Sequence, residues 1–114
     1  MFTKSKGWKR CLAVGLVAGV VLAVPAVRAD DASEKLYSTK CAACHGADGK
    51  GQTAMGKTNK LNDLASADVQ KHTDDELAAI ISGGKGKMPA YSKSLKPEQV
   101  KGLVEYIRGL AKKS

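Results

Sequence analysis

Cys41-Ala42-Ala43-Cys44-His45-Gly46 (CAACHG) is the stretch on which the reading of this 114-residue chain turns. Two thiols three positions apart can close a disulfide, help hold a metal, exchange electrons as a dithiol or anchor a prosthetic group. A histidine directly after the second thiol narrows that choice only once its surroundings are known. The rest of the chain supplies them.

The N-terminus comes first, because it changes what the rest has to explain. Residues 1–11 (MFTKSKGWKRC) carry four bases and no acid, and residues 12–27 (LAVGLVAGVVLAVPAV) carry no charge. Val27-Arg28-Ala29 then offers a small-x-small exit before Asp30-Asp31. A basic start, an apolar centre and a small-residue exit describe a secretory signal. The expected division is a signal peptide over residues 1–29, cleaved after Ala29, and a mature domain over 30–114. The other reading is a retained membrane anchor, but sixteen apolar residues with two glycines and a proline are short of the roughly 20 that a bilayer requires. Lys9-Arg10 is no twin-arginine pair, so general secretion is the simpler route. Cys11 precedes the apolar run, where a lipid-bearing cysteine would follow it.

Removing residues 1–29 leaves 85 residues, enough for one domain, and lowers the formal net charge from +8 to +3. The high isoelectric point is therefore largely a property of the export signal and gives no argument for nucleic-acid binding. Trp8 and Phe2 leave with it. The mature chain keeps three aromatics (Tyr37, Tyr91, Tyr106) and twenty residues in all of the Val, Ile, Leu, Met, Cys and Tyr types. A domain this small normally needs a disulfide framework, a metal or another staple beyond its side-chain core. Cys41 and Cys44 can close at most one tiny loop. Something apolar, large and not encoded as side chains is missing from the core.

Periodicity predicts three helices and no strands. Residues 32–43 (ASEKLYSTKCAA) begin with Ser33 as the expected N-cap and place Tyr37 and Cys41 on one face. Residues 46–63 hold four glycines among polar residues and read as a long loop. Such a loop belongs in a compact domain only if it wraps a ligand. Thr73-Asp74-Asp75-Glu76 fits a capping box that starts a short helix carrying Leu77, Ile80 and Ile81, stopped by Gly83-Gly84. Residues 64–72 add a weak turn of helix. Pro97 opens the last helix, with Glu98 in its first turn and Val100, Leu103, Val104, Ile107 and Leu110 as one apolar stripe. The class is all-α.

That class decides among the uses of the thiols. A redox C-x-x-C belongs beside a βαβ unit, which this pattern does not contain. Structural zinc wants four ligands, usually as two separated pairs, and His45 next to Cys44 suits a shared tetrahedron poorly. C-x-x-C-H as a c-type haem attachment remains. One helical turn sets both sulfurs on the porphyrin edge for thioether bonds to its vinyl groups, and the next residue turns its imidazole under the iron. Only this use requires the histidine to be adjacent. The expected cofactor is one haem c bound through Cys41 and Cys44, with His45 as the proximal iron ligand.

From "KLYSTKCAACHGADGKGQ" through "GGKGKMPAY" to "LKPEQVKGLVEYIRGLAK", residues 33–111 resemble the small soluble monohaem class I cytochromes c. The resemblance implies three to four helices wrapped around one haem, with the first and last helices crossing. It also implies an aromatic of the last helix packed on the first, by position Tyr106 on Tyr37. Ser33 stands where the family often has glycine, which is expected to push the crossing apart. The proline that some members carry about a dozen residues after the histidine is absent, so the acceptor for the His45 ring proton is unassigned; such an acceptor is expected, because it fixes the tautomer.

Met88 is the expected distal ligand. It follows Gly83, Gly84 and Gly86 and precedes Pro89, which keeps it extended and out of a helix. It stands 43 residues beyond His45, enough chain to circle a porphyrin. Met55 and His72 compete: the first lies only ten residues past His45, the second sits beside the Thr73 cap. An open sixth position is the remaining alternative. With His45 and Met88 both bound, no vacancy is left for oxygen or peroxide, and a thioether favours ferrous iron. The expected protein is thus no enzyme but a periplasmic one-electron carrier, monomeric, meeting transient redox partners through small interfaces. The rival is a small haem enzyme or ligand sensor with an open sixth site. Lys50, Lys57, Lys60, Lys85, Lys87 and Lys93 read either as a ring that steers acidic partners or as scattered charge blunted by neighbouring acids.

Overall fold

The computed structural model describes residues 15–21 and 29–113; Cys11 and most of the expected export signal lie outside them. Six helices follow in order: α1 Ala29–Lys40, α2 Ala42–His45, α3 Ala54–Thr58, α4 Ala67–Gln70, α5 Asp74–Gly83 and α6 Pro97–Lys112. Among the described residues no strand forms; a single isolated bridge joins Lys85 and Met88. The protein is all-α, and its three longest helices are the three the periodicity predicts.

The long helices start and stop for local reasons. Thr73 accepts from the Glu76 amide while the Glu76 carboxylate accepts from the Thr73 amide, so α5 opens on the expected capping box. α6 opens with Pro97 in its first turn, and Gln99 Oε1 accepts from the Lys96 amide at 2.8 Å. Its buried residues are Val100, Leu103, Val104, Ile107 and Leu110, the predicted stripe. Leu77 and Ile81 of α5 and Tyr37 of α1 bury against this stripe and complete the core with Leu95. Each such side chain contributes about 1.5–3 kcal/mol by leaving water.

Two helix expectations need correction. Ser33 does not cap α1; the helix begins four residues earlier, at Ala29, and Ser33 lies within it. Gly102 of α6 lies opposite, and a Cβ there would collide with Ser33 Oγ, so the absent side chain on α6 makes room for the serine. Residues 46–63 are also not loop throughout. Thr53 accepts from the Gly56 amide and caps the one-turn α3, a helix too short for periodicity to reveal.

Arg108 of α6 ties in the remaining segment. Its guanidinium donates to Asp74 Oδ1, the Gln70 carbonyl and the His72 carbonyl. Gln70 in turn donates to the Leu64 carbonyl at 2.7 Å. This polar clamp fixes α4 and the start of α5 against the outer end of α6.

Candidate functional site

The C-x-x-C-H segment sits at a deliberate break in the first helical run. α1 ends at Lys40, Cys41 leaves the regular helix with φ −119° and ψ −37°, and α2 resumes for a single turn. The Cys44 and His45 amides both bond to the Cys41 carbonyl, at 3.2 and 2.9 Å. That turn places the two cysteines on successive turns of one face. Both thiols are free and half-buried.

The end of α2 is closed by the loop behind it. The Gly51 amide donates to the His45 carbonyl at 2.7 Å, and the Thr53 hydroxyl donates to the Cys44 carbonyl at 2.6 Å. Tyr37 reaches the same place from α1, its hydroxyl donating to the buried Gly46 carbonyl at 2.7 Å. These three donors satisfy carbonyls that a helix terminus would otherwise leave unpaired. A Cβ on Gly56 would strike the Gly51 and Cys44 carbonyl oxygens, so only glycine lets α3 approach this closely. Tyr37 also stacks on Tyr106 with ring centroids 4.7 Å apart and planes 36° apart, the contact the resemblance implies at the crossing.

The His45 ring is half-buried, and burial lowers its pKa. Burial thus favours the neutral form, the one in which imidazole ligates iron. Its Nδ1 is buried, and no residue among those described accepts a hydrogen bond from it. The expected second-shell carbonyl does not appear.

Met88 lies on a strap that leaves α5 and folds back at once. The Lys85 amide donates to the Met88 carbonyl at 3.2 Å and the Met88 amide to the Lys85 carbonyl at 2.9 Å. Gly84 makes the fold possible: its φ is +74°, and a Cβ there would lie 2.7 Å from the Met88 carbonyl oxygen. Met88 is half-buried and packs against the core, as does Tyr91 three residues on. Tyr91 donates through its hydroxyl to the Lys40 carbonyl at 2.9 Å. Burial first, then the nearby Cys41 and Cys44, push the Tyr91 phenol up in pKa, which is consistent with a ring beside the cysteine pair. Sequence reasoning missed Tyr91 because its partner lies 51 residues away and no local signal marks it.

The two competitors for the distal position are differently placed. Met55 is 54 % exposed and outside the core. His72 has its Nδ1 3.3 Å from Glu76 Oε2 at the mouth of α5. Among the described residues no three His, Cys, Asp or Glu side chains gather as a metal site, so the zinc arrangement with His72 does not form. Two free thiols in one helical turn, a neutral imidazole next to them and a thioether on a strap tethered to the same helix end form a donor set suited to a covalently attached haem.

Comparison with known proteins agrees. Residues 28–107 match the family described as cytochrome c oxidase, cbb3-type, subunit III. A cytochrome c6 of a Nostoc species is 36 % identical over 88 residues, covering 76 % of this chain and 77 % of the relative. The cbb3-type cytochrome c oxidase subunit FixP of Bradyrhizobium diazoefficiens is 39 % identical over 80 residues, which span 68 % of this chain but only 26 % of FixP. Among solved structures, the KustC0563 c-type cytochrome superposes with a TM-score of 0.64 at 35 % identity, covering 68 % of this chain and 95 % of that one. The chain therefore belongs to the small class I c-type cytochromes, as an all-α electron-transfer protein whose cofactor is a covalently bound haem c.

Proposed function

We propose that the protein is an exported one-electron carrier and not an enzyme, with haem c attached through Cys41 and Cys44 and iron held between His45 and Met88. The bound haem supplies the one-electron couple. The chain supplies what makes the couple useful: an imidazole whose neutral form partial burial favours, a thioether on a tethered strap, and a cradle of paired backbone. One observation carries the choice of Met88. Met88 packs against the core on a segment bonded to the end of α1, whereas Met55 faces solvent and His72 is engaged by Glu76.

The rest of the reading concerns where and with whom the protein works. Residues 1–29 act as a signal peptide cleaved after Ala29, which leaves residues 30–114 in the periplasm as a monomer. Leu16, Val17, Val20 and Val21 are each at least 83 % exposed, so these four residues add nothing to the core, as expected of a segment outside the folded domain. Among the described residues no helix is long and apolar enough to cross a membrane.

The lysines favour an acidic redox partner. Lys85, Lys87, Lys93 and Lys96 lie in the interval between Glu76 and Glu98, and Lys50, Lys57 and Lys60 in that between Asp48 and Asp63, with no acid inside either interval. All seven are exposed. The two intervals contain the strap and most of the loop that border the site, and Asp48 and Asp63 sit only at the ends of the second. Such a surface raises encounter rates with an acidic partner and loses that advantage as salt screens it.

The deciding experiment is the reduction potential of Met88→Ala holoprotein. Loss of the thioether removes the ligand that favours ferrous iron, so the potential falls and carbon monoxide binds rapidly to the reduced protein. An unchanged potential overturns the assignment of Met88. Rapid carbon monoxide binding by the parent protein would favour the haem enzyme or sensor instead.

A further inference from the structure

The strap from Gly84 to Ser92 is fastened unevenly. On its α5 side the Tyr91 amide donates to the Ile81 carbonyl at 3.1 Å and the Ser92 amide to the Ser82 carbonyl at 3.0 Å. Beyond it, the Ser94 and Leu95 amides return to the Tyr91 carbonyl. On its other side, among the described residues, one hydrogen bond joins the strap to α1 and the cysteine pair: Tyr91 Oη to the Lys40 carbonyl, 2.9 Å. Lys40 offers that carbonyl because α1 breaks there. The Cys44 amide, which a continuous helix would have directed to Lys40, bonds to Cys41 instead. A helix break made for the cysteine pair thus leaves an acceptor, and a tyrosine three residues past Met88 fills it.

We propose that Tyr91 is a positioning residue, clasping the Met88 strap onto the end of α1 and so setting how readily the strap gives way to a competing iron ligand. The proposal rests on Met88 as the distal ligand. An outside ligand binds only when Met88 has left, so its apparent affinity includes the strap's opening equilibrium. Removing the clasp makes opening easier without touching either iron ligand. The ring of Tyr91, packed against the core, stays in a phenylalanine variant, so the fold survives the test.

The test uses the oxidised holoprotein and imidazole as the probe. The far-red absorption band that a methionine–iron bond gives an oxidised cytochrome c reports whether Met88 is bound. In Tyr91→Phe the band persists without imidazole, and imidazole displaces it at about three- to fivefold lower concentration, the effect of one partly exposed hydrogen bond. Arg108→Gln, which loosens the distant clamp to Gln70, His72 and Asp74, lowers the urea midpoint and leaves imidazole affinity as in the parent. That contrast separates positioning from general stability. Equal imidazole affinity in Tyr91→Phe and parent overturns the clasp, as does an equal rise in Arg108→Gln. A parent without the band, matched by Met88→Ala, overturns methionine ligation and the clasp together. The two failures are therefore distinguishable.

Discussion

The α1–α6 crossing and the strap after α5 hold their shape by different means. At the crossing, side chains do the work: Tyr37 and Leu103 are each 1 % exposed, Tyr37 stacks on Tyr106, and Ser33 fits over Gly102. The strap fully buries none of its own side chains, Met88 and Tyr91 being half-buried, and it keeps its course through backbone pairs at Lys85–Met88, Tyr91–Ile81 and Ser92–Ser82. The half built from side chains is a complete miniature core. The half built from backbone is a rim that, with Met88 as the proposed ligand, the haem would fill. A chain with twenty large hydrophobic or sulfur-bearing residues in its mature part can afford only one such core, and the cofactor stands in for the second.

The largest effect should come from denying the rim its filling. Cys41→Ser with Cys44→Ser removes both attachment points, and the resulting chain should fail to accumulate as coloured, folded protein. Amide hydrogen exchange on what is recovered should show protection lost first over residues 46–72 and 84–95, with the α1–α6 crossing holding longest. Undiminished protection of the strap in the unattached chain would break the contrast, because the rim would then stand without its ligand.

Next in size is damage to the side-chain core. Leu103→Ala should cost about 2–5 kcal/mol, the range for a fully buried leucine whose site cannot collapse. The loss should appear as a lower urea midpoint in holoprotein with the far-red band intact. If the band weakens in step with stability, the two halves are one unit and the distinction fails.

What was legible in the sequence follows the same division. α5 and α6 could be read because their signals are local: a capping box at Thr73 and Glu76, a proline at Pro97, and apolar residues at helical spacing. The cysteine pair and His45 form a legible motif for the same reason, since the proposed haem attachment demands adjacency. Met88 could be placed on a strap from its glycines and Pro89. The start of α1 was misread because Ser33 has an N-cap's chemistry, while its role is to be small opposite Gly102, 69 positions on. α3 escaped because one turn has no period, and it depends on how closely Gly56 approaches the Cys44 carbonyl. The Tyr91–Lys40 bond spans 51 residues, and nothing near either residue announces it. Contacts between distant segments decide these features, and a single sequence does not display them.

A smaller effect sharpens the comparison at Tyr37, where the two halves meet through its bond to the Gly46 carbonyl. Burial pushes its phenol well above the ordinary tyrosine value. A folded pKa raised above the unfolded one gives stability that is complete below the unfolded value of about 10 and declines as pH rises beyond it, because the unfolded chain then ionises first. Tyr37→Phe should cost about 1–2 kcal/mol at neutral pH for the unpaired buried carbonyl. Its penalty should shrink above about pH 10, where the parent weakens more than the variant, which keeps only the raised phenols of Tyr91 and Tyr106. Urea midpoints at neutral and alkaline pH check this, and a constant gap between the two proteins would contradict it.

The smallest effect lies at the start of α5, and it tests whether the side-chain half has an electrostatic contribution of its own. The Thr73 amide, and after it the His72 ring, hold the Glu76 carboxyl below the ordinary glutamate range. A depressed folded pKa contributes stability that is present above the unfolded value of about 4.3 and is lost as pH falls through the folded one. Glu76→Gln keeps an oxygen that can accept from the Thr73 amide but has no charge to lose. Its urea midpoint should therefore fall less steeply than the parent's on acidification, with the strap's far-red band tracking neither. Parallel acid profiles would mean that the cap acts through geometry alone, since a neutral oxygen would then hold the first turn of α5 as well as a charged one.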